Sequence, residues 1–452
     1  MDLPESSSSQ PPPPWAILGR VARVEQDSVD EPGELSVELA LPPRVSTISV
    51  PMSLHPKSNY DDRDKHPYVV AADPEAGLLL LQVSHWPFVG FDLDENPKGA
   101  LLVARGFLAA GRDAPVATAA HVPDRALSGH APISNIKNVG LVSRPGTSGA
   151  DYVVAELRLD RADVDRATLL CFRSGSDAWV ETELSCPSMK HARRLWSSSH
   201  DVIAHDGKLW WVNLVWGLLA CDPFEDKPVL RHIKLPEYDV VQDVVDPPSG
   251  IESSRMVRVS KGMLLFVEMS RNRVDPVEET IVVVRSLQFD HATGETRWRW
   301  MSGNSVGVMW ASNSYKAAGM PDGEVPVLAL VHPTEPDVLY FFLKDYLFGF
   351  DMLMSRVTKF VFKPGLVDVV AGTRRPPSLS WRYVLAWELP PSLANALDDL
   401  MDEDGDSPLE DSGSSSIPDL NASPDPYDTP TTDLGDTPSS DLDDTPSPDL
   451  NG

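Results

Sequence analysis

Short apolar stretches separated by turn residues recur along the chain between residues 15 and 390. They are rich in Val, Leu, Ile and aromatic residues and are bounded by Gly, Pro and Asp, which is typical of β-strands. Clear examples are residues 34–41, 77–83, 151–157, 262–268, 281–284 and 338–343. Helical periodicity is nearly absent, and only residues 391–401 are predicted to form a short helix. The pattern therefore predicts an all-β fold.

The most informative segment reads DGKLWWVNLVWGLLACDPF and spans residues 206–224. A turn signal, an aromatic strand, a bend, a second apolar strand and a final Asp-Pro stop together predict a β-hairpin. Six residues form the signature of this hairpin, namely Trp210, Trp211, Trp216, Gly217, Asp222 and Pro223.

The hairpin belongs to a loose internal repeat. Residues 208–222 align with residues 338–351, and weaker copies surround residues 152–174 and 266–290. Aromatic hairpins that recur without helices between them are typical of propeller blades with variable loops. We predict a β-propeller-like domain of about six or seven blades over residues 15–390, with residues 206–351 as its most diagnostic part. A two-sheet sandwich is the alternative, but sandwiches rarely run this long as one domain.

Charge is distributed unevenly along the 452 residues, whose net charge is −28. Residues 398–452 hold 17 acidic residues and no Lys or Arg, which leaves 50 acidic and 39 basic residues in the remainder. We predict a disordered acidic tail over residues 402–452 and a disordered Ser/Pro leader over residues 1–14. A negative body with a more negative tail argues against binding to nucleic acid or to an anionic membrane.

No targeting or membrane signal is recognisable. The first 14 residues lack the basic and apolar regions of a signal peptide, and no apolar run reaches the ~20 residues that span a bilayer. The three cysteines, Cys171, Cys186 and Cys221, do not form a disulfide or metal pattern. We expect a monomeric protein in the cytoplasm, the nucleus or both, which is neither secreted nor transmembrane.

The signature hairpin, with PVLR at 228–231, LP at 235–236 and RMVRVSKGMLLFVE at 255–268, resembles a plant family that carries the domain of unknown function 1618. Similar phrases occur upstream at residues 15–18, 41–44 and 70–74, so the resemblance covers roughly residues 15–390. More distantly, the chain is similar to F-box-associated and kelch-type β-propellers, although no F-box precedes the domain. The resemblance implies no catalytic residues.

A search for chemistry finds no phosphate-binding glycine loop and no His-Glu-x-x-His motif. His191, His200 and His205 come nearest to a cluster, and we interpret them as surface or loop residues. No catalytic, cofactor-binding or metal-binding residue is predicted. Residues 296–300, TRWRW, are predicted to place both Trp on a core face and both Arg in solvent. Trp216, Trp310 and Tyr346 are candidate surface anchors, with burial in the core as the favoured interpretation.

The acidic tail carries two kinds of short motif. Residues 419–424 resemble the plant repression motif Asp-Leu-Asn-x-x-Pro, through Asp419, Leu420, Asn421 and Pro424. Six residues precede a proline and are candidate phosphorylation sites, namely Ser407, Ser423, Thr429, Thr437, Thr445 and Ser447. The alternative is a low-complexity solubility tail without specific partners.

Three functional hypotheses follow. The leading one is a non-enzymatic scaffold that binds protein partners of unknown identity. The second is an enzyme or small-ligand binder that uses the central pocket of the propeller, which a cluster of Asp, His and Arg around one cavity would favour. The third is a nuclear adaptor that recruits a co-repressor through the tail motif.

Overall fold

The computed structural model describes residues 14–26, 33–54, 67–84, 99–108, 115–160, 163, 165–186, 196, 198–236, 250–271, 275–290, 295–371, 379–394 and 396. The chain divides into two units, residues 1–406 and 407–452, and the second lies outside the described residues.

Five consecutive four-stranded antiparallel meanders, here called blades 1 to 5, make up most of the first unit. Blade 1 contains β5 (Tyr68–Asp73), β6 (Leu78–Ser84), β7 (Gly99–Leu108) and β8 (Val116–Val122). Blade 2 contains β9 (Val139–Ser143), β10 (Tyr152–Leu159), β11 (Arg166–Arg173) and β12 (Trp179–Ser185). Blade 3 contains β13 (Asp201–His205), β14 (Lys208–Asn213), β15 (Gly217–Cys221) and β16 (Arg231–Ile233). Blade 4 contains β17 (Arg255–Ser260), β18 (Met263–Ser270), β19 (Ile281–Asp290) and β20 (Glu295–Ser305). Blade 5 contains β21 (Val327–Val331), β22 (Val338–Leu343), β23 (Tyr346–Asp351) and β24 (Arg356–Phe362).

The remaining strands come from both ends of the domain. They are β1 (Trp15–Gly19), β2 (Arg23–Glu25), β3 (Glu34–Glu38), β4 (Val45–Pro51) and β25 (Val384–Glu388). β25 pairs antiparallel with β1, which pairs parallel with β4, and β3 joins this group to β8. Pairing between the last strand and the first closes the domain, and blade 1 becomes part of a nine-stranded sheet. The prediction of an all-β, β-propeller-like domain is confirmed.

Helices are few and short in the described residues. They include the α-helices α1 (Val306–Ala311), α2 (Asn313–Ala317) and α3 (Leu366–Ala371). The 3₁₀ helices are Met52–Leu54, Arg125–Ser128, Ile136–Asn138, Ile251–Ser253, Val277–Glu279 and Trp381–Tyr383. Residues 391–394 and 396 are also helical, while most of the remainder of the predicted helix 391–401 lies outside the described residues. None of the described helices combines the length and the hydrophobicity needed to cross a bilayer.

The sequence repeat corresponds to the second and third strands of the blades. Residues 208–222 contain β14 and β15, residues 338–351 contain β22 and β23, and the two weaker copies fall on β10–β11 and β18–β19. These middle strands are covered on both faces, so β15 and β22 are buried at every position. This explains why they have near-continuous apolar sequences, because strands buried on both faces lose the alternation of apolar and polar residues.

The bend of the signature hairpin requires its glycine. Gly217 has φ of +135°, and a Cβ at this position would overlap the carbonyl oxygen of Ile233 on the neighbouring strand. Only glycine adopts such a conformation without strain.

The strand prediction for residues 296–300 is confirmed, but the prediction that both Trp face the core is wrong, because Trp300 is 65% exposed. Trp298 and Trp300 pair in regular register with Leu287 and Arg285 and so share one face of β20, but only Trp298 packs against the core.

The first strands of the blades lie towards the centre of the domain. β5 contacts β9 and β13, β9 contacts β13, and β21 contacts both β17 and β25. Charged side chains on or beside these strands therefore come together, although they are far apart in sequence.

Candidate functional site: a charged cluster in the central channel

A cavity of about 100 Å³ lies among the central strands. Its walls come from β5, β13, β17, β21 and β25, together with Arg20, which follows β1. Twelve of the lining residues are apolar, and four are charged: Arg20, Asp201, Arg258 and Glu388. A second cavity of about 30 Å³ shares Arg20, Val70, Asp201 and Val202 with the first. These shared residues therefore separate two parts of one central channel.

Asp201 is the centre of the charged cluster. Its carboxylate accepts a hydrogen bond of 2.7 Å from Nη1 of Arg258, which connects β13 to β17. Its other oxygen lies 3.7 Å from Nη2 of Arg20, within ion-pair range but beyond hydrogen-bonding distance. One carboxylate thus serves two guanidinium groups, all with side chains no more than 13% exposed.

Backbone and aromatic contacts fix the two arginines. Arg20 donates from Nε to the carbonyl of Val69 at 2.9 Å and from Nη2 to that of Val70 at 2.6 Å. Its guanidinium also lies 5.0 Å from the ring centre of Tyr68. Arg258 donates a second bond from Nη1 to its neighbouring carbonyl, and its guanidinium lies 4.5 Å from the ring centre of Trp381. Contacts of this kind favour a charged guanidinium inside a protein.

A second ion pair lies beside the smaller cavity. Nη2 of Arg382 donates to Glu252 at 2.6 Å, and Nε2 of His200 is 4.0 Å from the same oxygen. Nδ1 of His200 accepts a hydrogen bond from the backbone N–H of Leu214. This leaves the ring proton of a neutral imidazole on Nε2. Lys137 also lines this cavity.

Burial and neighbouring charges shift the pKa values of these groups. Burial lowers the pKa of His200 to about 4, and Arg382 and Lys137 act in the same direction, while Glu252 opposes them. Burial alone would raise the pKa of Glu252, but Arg382, His200 and hydrogen bonds together outweigh burial, and the pKa is lowered overall. His200 is therefore neutral and Glu252 ionised near pH 7.

Two further pKa shifts concern the larger cavity. Burial lowers the pKa of Arg258, and the nearby Arg20 guanidinium lowers it further, although Asp201 opposes this. Burial raises the pKa of Glu388, and the carboxylate of Glu75 adds to that increase. Arginine remains charged despite such a shift. The larger cavity thus has two cations around one anion, with a separate carboxyl group at Glu388.

Sequence reasoning missed this cluster. It named His200 only as a surface or loop residue, whereas the side chain is 19% exposed and lies beside the channel. Of its companions, His205 is half-buried on β13 and His191 lies outside the described residues. The available signal was a lone charge within an apolar strand, as at Asp201 before VIA and Arg258 within MVRV.

The signature residues have structural roles. Nε1 of Trp211 donates to the carbonyl of Asn138 at 2.8 Å, and Nε1 of Trp210 donates to that of His205 at 3.2 Å. The carboxylate of Asp222 accepts from the N–H of Phe224. The full signature set, Trp210, Trp211, Trp216, Gly217, Asp222 and Pro223, is absent from the linings of the two described cavities.

The structure describes the three candidate surface anchors but not the motifs of the tail. Trp216, Trp310 and Tyr346 are half-buried and pack against the core. The tail motif and the candidate phosphorylation sites lie outside the described residues and stay predictions.

Comparison with known proteins adds one family match. The model of the family described as "Protein of unknown function (DUF1618)" matches residues 211–340, from β14 into β22. This supports the resemblance seen in the sequence. No curated protein matches the chain.

Solved structures with a similar arrangement have low sequence identity. Apo AztD from Citrobacter koseri is 14% identical, with a TM-score of 0.28 over 77% of this chain and 82% of that one. The β-propeller domain of Cps50 (Swd1) from Myceliophteria thermophila is 11% identical, with a TM-score of 0.31 over 67% of this chain and 83% of that one.

Proposed function

We propose that this domain binds a small molecule in its central channel. The observation that carries the proposal is the cluster of Arg20, Asp201 and Arg258 around a cavity of about 100 Å³. Structural ion pairs are usually fully satisfied when buried, whereas here two guanidinium groups share one carboxylate beside open space. An apolar wall with a few convergent polar groups is the usual composition of a ligand site.

The cavity lining supports binding more than catalysis. Among the described residues that line the larger cavity there is no Ser, Thr, Cys, Lys or His. Nucleophilic catalysis needs such a group beside a base, and the acids Asp201 and Glu388 offer no nucleophile–base pair with a third orienting group. A non-enzymatic binding module is therefore the function that the geometry favours.

A cavity-filling variant tests this proposal. Ala386 lines the cavity, and Ala386→Leu would occupy part of its volume, whereas Ala178→Leu adds the same atoms at an exposed turn. The purified full chain is screened against a library of neutral, cationic and anionic metabolites by thermal shift, and hits are measured by calorimetry. We expect Ala386→Leu to weaken binding by at least about tenfold and Ala178→Leu to leave it unchanged. Equal affinity in both variants would place binding elsewhere.

A second candidate function is a scaffold for protein partners, supported by aromatic residues on outer strands. Trp300 on β20 is 65% exposed, and Phe360 and Phe362 on β24 are 46% and 53% exposed. Exposed aromatics of this kind are enriched where proteins bind one another. Proximity labelling in plant cells, with full-length protein and a version that ends at Leu397, tests this. Neighbours lost in a Phe360→Ser, Phe362→Ser variant would support the scaffold, and an unchanged set would argue against this surface.

Three further proposals concern context. We propose that the family similarity extends over residues 15–390 and includes a plant origin. Sequences similar to the family also occur upstream of the matched segment, at residues 15–18, 41–44 and 70–74. We also propose a cytoplasmic or nuclear location, which fluorescence microscopy of the tagged full chain would test. Recruitment of a co-repressor through the tail is tested by Asp419→Ala with Leu420→Ala, where unchanged binding would exclude that role.

A further inference from the structure

The charge balance of the larger cavity indicates the chemical class of its ligand. Among the described residues, Asp201 is the one carboxylate that forms an ion pair with Arg20 or Arg258, so two guanidinium groups share a single ion-pair partner. By contrast, Arg382 beside the smaller cavity has its own partner in Glu252. This surplus of guanidinium groups is local, because the chain as a whole carries −28.

Several hydrogen-bond donors of the two arginines remain unused. Nη1 of Arg20, and Nε and Nη2 of Arg258, have no acceptor among the described residues. Some buried polar atoms of the structure are inaccessible to solvent and lack a hydrogen-bond partner, but none of these three nitrogen atoms is among them. Open space therefore reaches all three. Nε and Nη2 of Arg258 form one edge of the guanidinium, which is the edge that binds a carboxylate or phosphate through two parallel bonds.

We infer that the ligand carries one oxyanion group, a carboxylate or a phosphate, which binds to the free guanidinium donors of Arg20 and Arg258 within the larger cavity. This inference rests on the proposed small-ligand function and specifies its ligand class. The bound group supplies a second negative charge and the missing acceptors. Asp201 then acts as an internal competitor that limits affinity, because it already neutralises part of the same charge.

Glu388 restricts the remainder of the ligand. It is the other charged residue that lines the cavity, and the rest of the lining is apolar. A second anionic group on the ligand would meet this carboxyl group, which disfavours dianions. The expected ligand is a small monoanion with an apolar or neutral body.

Three substitutions separate this inference from a structural role. Asp201→Asn removes the competitor, so binding of isobutyrate or inorganic phosphate should strengthen by about tenfold or more. A variant that only damaged the fold would not gain affinity. Arg258→Lys keeps the charge but loses the two-donor edge, and should weaken binding by roughly tenfold. Arg356→Gln, at an exposed position on β24, is the matched control and should change nothing.

The measurement is calorimetric titration of the purified full chain at low ionic strength, with isobutyrate, inorganic phosphate and neutral isobutyramide. The inference is supported if either anion binds, the amide does not, and Asp201→Asn increases the affinity for the anion. The affinities for isobutyrate and phosphate then show whether a carboxylate or a phosphate is preferred. If the screen above finds only neutral or cationic ligands that Ala386→Leu excludes, the channel function stands and the oxyanion class is wrong. If no ligand responds to Ala386→Leu, the proposed function itself fails.

Discussion

Removal of the buried carboxylate of Glu156 should be among the most damaging single changes to this fold. The side chain of Glu156 on β10 is 0% exposed and forms an ion pair with the equally buried Arg125. It also accepts from Nε of Arg158 at 2.9 Å, and from the N–H groups of Ser134 and Asn135 at 2.9 and 3.1 Å. One carboxylate therefore holds the segment that connects blade 1 to blade 2.

The size of the expected loss in stability follows from the contacts of Arg125. Its guanidinium stacks 4.1 Å from the ring centre of Trp179, and its Nε and Nη2 have no partner in the described structure. Glu156→Gln would leave this buried cation without its counter-ion, which costs about 3–5 kcal/mol in comparable sites. The matched control is Glu183→Gln in the same blade, because the Arg166–Glu183 pair is 59% and 62% exposed. Loss of an exposed pair costs about 0–1 kcal/mol.

Urea denaturation followed by tryptophan fluorescence measures both variants. We expect Glu156→Gln to lower the free energy of unfolding by at least about 2 kcal/mol more than Glu183→Gln. Burial raises the pKa of Glu156, but Arg125, Ser134 and Arg158 together outweigh burial, and the pKa is lowered from its ordinary value of 4.5. A lowered pKa contributes stability above the unfolded value and loses it as pH falls through the folded value. The gap between wild type and Glu156→Gln should thus be constant near neutral pH and shrink below about pH 4.5. Equal losses in the two variants would refute this reasoning.

Three other predictions concern separate parts of the domain. The imidazole of His200 should titrate near pH 4 by NMR, and Glu252→Gln should lower this pKa further; a midpoint unaffected by that substitution would contradict the assigned contact. Gly217→Ala should cost roughly 1–3 kcal/mol more in urea denaturation than Gly175→Ala, because both have positive φ but only the first adds an overlap with the carbonyl of β16. The thiol of Cys221, whose pKa burial raises to about 12, should resist iodoacetamide at pH 8 in the native state and react in urea, and rapid native labelling would show that the thiol is accessible.

Much of the architecture is determined locally and is therefore readable from sequence. The hairpin at residues 206–224 has its turn chemistry, its strand lengths and its glycine in one short segment, and the structure contains β14 and β15 in those places. The repeat is equally readable, since middle strands such as β15 and β22 are covered on both faces and have near-continuous apolar sequences. Faces of outer strands are less predictable. Trp298 and Trp300 share one side of β20, yet only Trp298 packs against the core, and Trp300 is 65% exposed.

The sequence by itself determined the strands, the blade repeat and the uneven charge, because each depends on neighbours within a few residues or on composition. Only the tertiary structure decided the candidate site. Arg20 follows β1, Asp201 begins β13 and Arg258 lies within β17, and although the last two stand out locally as charges in apolar strands, nothing local shows that the three side chains meet. They meet because closure of the domain through β1 and β25 brings the first strands of separate blades to one axis. Burial then gives the same side chains an unbalanced charge and unused donors, which are properties of their shared environment and not of any one segment.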